Sequence, residues 1–222
     1  MSDPVDVKKL DAQTLAKHLA NPDGPIGVAV TASLNKTNAG IYAAALAALA
    51  LQEGDRILEI GFGNGREIDR LLSGAPGVLF TGVDISHTMI AEATACNAAA
   101  VEEGRVTLRQ ASSSALPFAD SSFDKALAPN TIYFWENPLA DLRQIRRVIR
   151  MGGRLVLAAI APSSTKNREH FRFGFRFYEP DQLRALFGQA GFANAEIQTL
   201  HDETVSAAGE KIQRDYFIVT GH

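Results

Sequence analysis

Three glycines at alternating positions, Gly61, Gly63 and Gly65, directly follow the apolar run Ile57-Leu58-Glu59-Ile60. Glycine reaches positive φ without a Cβ penalty, and the carboxyl end of a strand opens onto the crevice in which open α/β sheets bind ligands. Such a loop lets the backbone approach a polar ligand closely. Asp84 closes the next strand, 19 residues after Gly65, where a carboxylate accepts hydrogen bonds from both hydroxyls of a ribose. The position that would complete GxGxxG holds Arg66, which disfavours a dinucleotide pyrophosphate on the following helix N-terminus and makes a nicotinamide cofactor the poorer candidate.

A second group of candidates follows the fourth strand, in Ala128-Pro129-Asn130-Thr131-Ile132-Tyr133-Phe134-Trp135. There Asn130 is placed to bond a ligand, and Tyr133 and Trp135 to wall a cation or a planar molecule; core packing is the competing role for each aromatic. None of His18, His87, His170, His201 and His222 forms a metal-spaced pair, so no metal is expected. His18 and His170 sit in segments that can fold over the crevice and are the candidate proton acceptors. In residues 166–178 phenylalanines alternate with arginines, so an extended piece would turn rings one way and cations the other. Two roles stay open. One is a lid whose Phe171 and Phe175 cover an acceptor while Arg172 or Arg176 reaches solvent or an anion; the other is a half-buried edge strand.

These residues need a scaffold, and 222 residues suit one enlarged domain. The content, 46% hydrophobic and 21% charged, is that of an ordinary soluble domain. A net charge of −3 gives no overall attraction to nucleic acid or an anionic membrane. Residues 143–184 carry ten Lys/Arg against three Asp/Glu, and Arg143, Arg147 and Arg150 read as one solvated helix face. The longest apolar run, residues 41–51, is well below the ~18 that would suggest a membrane span. No apolar signal stretch opens the chain, and the single cysteine, Cys96, allows no internal disulfide, so a cytoplasmic location is expected.

From Arg56 onward strands (57–60, 78–84, 106–110, 123–128, 154–160) alternate with helices (65–72, 88–100, 138–149). A helix over 179–190 and two strands, 193–200 and 212–220, with no helix between them complete the chain. The expected fold is α/β: a Rossmann-like, doubly wound, seven-stranded sheet, mostly parallel with an antiparallel C-terminal hairpin and helices on both faces. Ahead of it, 7–19 reads as a helix, 21–25 as turn chemistry and 38–51 as an Ala-rich helix capped by Thr37 or Asn38. Residues 1–50 are read as a helical lid, with Asn35 and Asn38 facing the ligand, over a domain of residues 51–222.

Four ordered segments carry a family resemblance: Leu58-Glu59-Ile60-Gly61-Phe62-Gly63-Asn64-Gly65, Val83-Asp84, Leu116-Pro117-Phe118 leading to Phe123-Asp124, and Arg147-Val148-Ile149-Arg150-Met151-Gly152-Gly153. Over nearly all of residues 51–221 the chain resembles class I S-adenosylmethionine-dependent methyltransferases of the small-molecule branch often labelled type 11. The resemblance implies that Gly61, Gly63 and Gly65 line the methionine part of the cofactor, and that Glu59 anchors the loop or the ammonium. It also implies that Asp84 takes the ribose, Ile85 and Met89 flank the adenine, and Asn130 bonds the cofactor. Ser112 stands where the family commonly has an acid for the adenine amino group, a weaker partner than a carboxylate.

The activity so implied is in-line methyl transfer to nitrogen or oxygen of a small planar or hydrophobic acceptor, with Tyr133, Asn130 or His170 assisting. Tyr133, Trp135, Phe171, Phe175 and Arg172 would contact that acceptor. The acidic-Pro-Pro-aromatic signature of enzymes acting on nucleobase or glutamine amino groups is missing, which argues against those substrates. The expected partner is thus a small molecule, with no nucleic acid and no membrane, and a homodimer is compatible. The alternative is an S-adenosylmethionine-binding protein without turnover.

Overall fold

Seven strands form one sheet: β1 (Arg56–Ile60), β2 (Leu79–Asp84), β3 (Val106–Gln110), β4 (Phe123–Pro129), β5 (Ile149–Ile160), β6 (Ala195–Val205) and β7 (Lys211–Gly221), in the order β3-β2-β1-β4-β5-β7-β6. This computed structural model describes residues 5–166, 168–206 and 210–222; Asn167, part of the basic and aromatic stretch, lies outside them. The first five strands pair in parallel and β7 runs antiparallel to both β5 and β6. Strand order reverses between β1 and β4, so a crevice opens at their carboxyl ends.

Burial explains the arrangement. Residues Ile57 to Ile60 and Leu155 to Ile160 are buried without interruption; because neighbouring side chains point to opposite faces, both faces of the central strands are covered. The helices are α1 (Ala12–Ala20), α2 (Gly24–Thr37), α3 (Ala39–Leu49), α4 (Ile68–Leu72), α5 (His87–Cys96), α6 (Ala98–Glu102), α7 (Pro138–Val148) and α8 (Pro180–Ala190); α3 to α8 pack on the sheet, and α1 packs on α2. Ile41, Ala45 and Leu49 of α3 are fully buried, so this helix belongs to the core although it precedes the first strand. Among the described residues no helix is long and apolar enough to cross a membrane.

Four local expectations are corrected. The turn cluster at 21–25 opens a helix, α2, because Pro25 falls in its first turn, where a missing N–H costs nothing. The Gly152-Gly153 pair lies inside β5, which starts at Ile149, with its irregular register against β4 absorbed between Phe123 and Lys125. Residues 168–178 form no strand: Glu169–Arg172 is a 3₁₀ turn, which breaks the period of two. Arg147 and Arg150 are not merely solvated; Arg147 binds the carbonyls of Phe118 at 2.7 Å and Leu116 at 3.0 Å, and Arg150 pairs with Asp124 at 2.5 Å.

The C-terminal hairpin runs further than expected and grips the helices ahead of β1. Thr37 Oγ1 donates to the Val205 carbonyl at 2.9 Å, and Thr204 Oγ1 donates to the Thr37 carbonyl at 3.0 Å. Arg214, only 2% exposed, donates to Asp202 at 2.9 Å and to Asn38 Oδ1 at 3.0 Å. Thr37 and Asn38 therefore tie the α2–α3 junction to the hairpin, and neither side chain caps α3. A cation buried this deeply is tolerated because it is paired and hydrogen-bonded.

Candidate active site

The glycine loop is set by β1 and β2. Gly61 N donates to the Val83 carbonyl at 2.8 Å, and Gly61 and Gly63 have φ of +71° and +61°. An added Cβ on Gly61 would sit 2.4 Å from Thr131 Cγ2, so backbone conformation and close approach both require glycine there. Asp84, 7% exposed, locks the loop: its carboxylate accepts from Gly63 N at 3.1 Å and Ser86 N at 2.9 Å. Burial pushes this carboxyl up, while the Ser86 and Gly63 amides pull it down.

Beneath the loop, Glu59 is 2% exposed and accepts a 2.8 Å hydrogen bond from the Tyr42 hydroxyl. Burial drives its carboxyl up to about 8, against the opposing pull of that bond, and pushes the Tyr42 phenol well above its ordinary range. At neutral pH Glu59 is therefore mostly protonated in the ligand-free protein, and a cation beside it would favour its ionised form.

These groups line a crevice of about 960 Å³ that also takes in Ile85, Ser112, Asn130 and Trp135. Ile85 is 49% exposed on its rim. Ser112 and Ser114 pair their hydroxyls at 2.8 Å. A second chamber, of about 690 Å³, is lined by Tyr133, His170, Phe171 and Phe175. The two cavities share Leu19, Leu34, Asn38, Asn130 and Phe134.

Asn130 marks the junction and is strained: its φ of +55° is in the left-handed region. It is held there by its own N–H, which donates to the Ala158 carbonyl at 2.8 Å, and by Tyr133, whose hydroxyl donates to Asn130 Oδ1 at 3.0 Å and accepts from Ile160 N. Burial pushes the Tyr133 phenol well above its ordinary range. With both hydroxyl roles taken and ionisation suppressed, Tyr133 orients Asn130 and cannot act as a base. His170 differs: burial and then Arg168 bring its imidazole down to about 4, so it lines the chamber as a neutral proton acceptor.

Other expected site residues lie elsewhere. Gly65 is turned away from the crevice, since an added Cβ would meet Ala93 Cβ at 2.6 Å and Asn97 Nδ2 at 2.8 Å; it needs to be glycine for packing on α5. Met89 is fully buried and lines neither cavity, and Arg172 is exposed outside both. Trp135 borders the first cavity only. Alternation in residues 168–178 fails because the 3₁₀ turn brings Phe171, Phe175 and Phe177 together, with ring centroids 4.9 to 5.7 Å apart, and leaves Phe173 39% exposed. Sequence reasoning missed Thr31, Tyr42, Thr131, Phe134 and Arg168. Thr131 and Phe134, beside Asn130, and Arg168, inside the basic and aromatic stretch, carried a positional signal.

The crevice suits a nucleoside with an amino-acid tail. Glu59 and Asp84 offer acids for an ammonium and a ribose, the glycine loop gives close backbone approach, and Thr131 Oγ1 is buried with no partner among the described residues. A family model described as a methyltransferase domain matches residues 58–157. The chain is 32% identical over 163 residues to the O-methyltransferase resE of Aspergillus sclerotiorum, covering 70% of this chain and 61% of that one. It is also 32% identical over 161 residues to the O-methyltransferase rstn1 of Aspergillus nomiae, covering 69% and 71%. Among solved structures, a chain from the complex of the Haloferax volcanii Trm112 methyltransferase activator superposes with a TM-score of 0.71 at 17% identity, covering 94% of this chain and 97% of that one. That likeness speaks for the fold. With sheet order, glycine loop, acid-closed second strand and relatives in agreement, the chain belongs to the class I S-adenosylmethionine-dependent methyltransferases.

Proposed function

We propose that the protein transfers a methyl group from S-adenosylmethionine to an oxygen of a small planar or hydrophobic molecule. The observation that carries this reading is the junction at Asn130, where a polar, acid-bearing crevice meets an aromatic chamber. The relatives named O-methyltransferases support oxygen as the acceptor atom. When bound, S-adenosylmethionine supplies an electrophilic methyl on a sulfonium.

The chain's own part is mainly positional. Asp84, Glu59 and the glycine loop hold the nucleoside and the amino-acid tail. Phe134, Phe171 and Phe175 align a flat acceptor, and α1 and α2, which line both cavities, exclude water from them. A hydroxyl becomes strongly acidic as it is alkylated, so a weak base suffices. His170, neutral above about pH 4, packs on Phe171 at 4.3 Å between ring centroids and lines the chamber wall away from the junction. The test is S-adenosylhomocysteine release with a panel of hydroxyl and amine acceptors, products being located by mass spectrometry. O-methylated product is expected. Tight S-adenosylmethionine binding without S-adenosylhomocysteine on any acceptor would overturn the reading in favour of a binding protein, and amine-only products would move the acceptor atom to nitrogen.

A further inference from the structure

The acceptor chamber has a charged end that methyl transfer does not use. Arg168 lines it and lies over the Phe171 ring, its Cζ 5.6 Å from the centroid. Its guanidinium has no ion pair and no side-chain hydrogen bond among the described residues. The other charges around the chamber do not neutralise it. Asp215 is taken by His201 at 2.9 Å and by Ser163 at 3.1 Å, and Arg214 is bound to Asp202. Glu169 and Glu210 are exposed and form no pair with Arg168; Lys166 is exposed and adds a second cation.

A chain of rings connects this cation to the junction. Phe171 contacts Phe175 at 4.9 Å and Phe175 contacts Phe134 at 4.6 Å, between ring centroids; Phe134 borders both cavities. Arg168 thus stands at one end of an aromatic wall and the methyl-transfer junction at the other. Burial, with the nearby Arg214 guanidinium, pulls the ionisation of Arg168 below the usual arginine range, against a weaker opposite pull from Asp202, so a bound anion would find a cation with no ion pair of its own among the described residues. A guanidinium fork matches a carboxylate in geometry as well as charge.

We propose that the acceptor is a hydroxyaryl carboxylate, its ring against Phe171 and Phe175, its hydroxyl at the Asn130 junction and its carboxylate on Arg168. This rests on the O-methyl transfer reading above and adds the substrate class. It also moves the anion-binding role from Arg172 and Arg176, where the alternating pattern put it, to a residue ahead of the 3₁₀ turn.

The probes are para-hydroxycinnamate and para-hydroxyphenylacetate, each beside its neutral primary amide, titrated calorimetrically into the full chain with S-adenosylhomocysteine present. The acids should bind about 10- to 100-fold more tightly than the amides. Arg168→Met should erase that preference while leaving the Kd for S-adenosylhomocysteine unchanged, and Arg168→Glu should shift it toward para-hydroxyphenethylamine. Equal binding of acid and amide, including no binding of either, overturns the proposal, as does a preference that survives in Arg168→Met. S-adenosylhomocysteine release, measured on parallel samples with S-adenosylmethionine, separates the two readings. Amides turning over as well as acids would keep methyl transfer and end this inference; Arg168-dependent binding of acids without turnover would do the reverse.

Discussion

The two ends of the active site are built by different means. The cofactor end is made from strand termini a few residues long: the loop after β1 and the carboxylate that ends β2, joined by the Gly63 to Asp84 hydrogen bond. Backbone supplies its shape. The acceptor end is gathered from α1, α2, the residues after β4, the 3₁₀ segment before α8 and the C-terminal hairpin, and side chains supply its shape. The framework of the first is therefore tied to the sheet, while side chains of the second can change without disturbing it.

If that division holds, substitutions should separate cleanly. The largest effect is expected from Asp84→Asn, which weakens the loop lock and the proposed ribose contact. It should raise the Kd for S-adenosylmethionine roughly 10- to 100-fold, the worth of about 1.5–3 kcal/mol for hydrogen bonds to a charged group. Calorimetry reads this directly, and an unchanged Kd would remove Asp84 from the cofactor site. Next is Gly61→Ala, with φ at +71° and Thr131 Cγ2 at 2.4 Å from the new Cβ. A loss of about 1–3 kcal/mol of stability is expected in urea unfolding, together with weakened cofactor binding. Tolerance of alanine would mean that the loop is not tightly fixed.

On the other side, Phe175→Ala removes the ring that touches Tyr133, Phe134 and Phe171. Acceptor KM should rise about tenfold, from the loss of several aromatic contacts, with the S-adenosylmethionine Kd unchanged. A parallel loss of cofactor affinity would blur the two ends. The smallest effect concerns Glu59. Its carboxyl, ordinarily near 4.5, is raised to about 8 in the folded protein, so its contribution to stability is fully present below about pH 4.5 and is lost as the pH rises through about 8. The melting temperature of the cofactor-free protein should fall across that window. Glu59→Gln, a neutral mimic of the protonated acid, should flatten the decline, and an identical pH profile in the variant would show that Glu59 titrates normally.

The same contrast explains what the sequence made legible. The succession of strands and helices, the hairpin and the glycine loop follow from short-range periodicity and from one local motif, and Asp84 from its spacing to that motif. Residues that depend on tertiary packing did not show. Tyr42 meets Glu59 only because α3 packs into the core. Helix α2 was hidden because Gly24-Pro25 has the chemistry of a turn as well as of a helix start. Gly65 read as a ligand-lining residue because a glycine needed for packing on Ala93 has the same sequence signal as one needed for approach to a ligand. Arg172 was preferred to Arg168 because the alternating pattern was read as extended chain, whereas the 3₁₀ turn at Glu169–Arg172 rearranges which side chains face inward.

The most direct test of a two-part site meeting at Asn130 is a crossed titration. Wild type, Asp84→Asn and Phe175→Ala are each titrated with S-adenosylmethionine and then, in the presence of S-adenosylhomocysteine, with para-hydroxycinnamate. A crossed pattern is expected: Asp84→Asn loses the cofactor alone, and Phe175→Ala loses the hydroxyaryl ligand alone. Loss of the same ligand in both variants would contradict the division of the site.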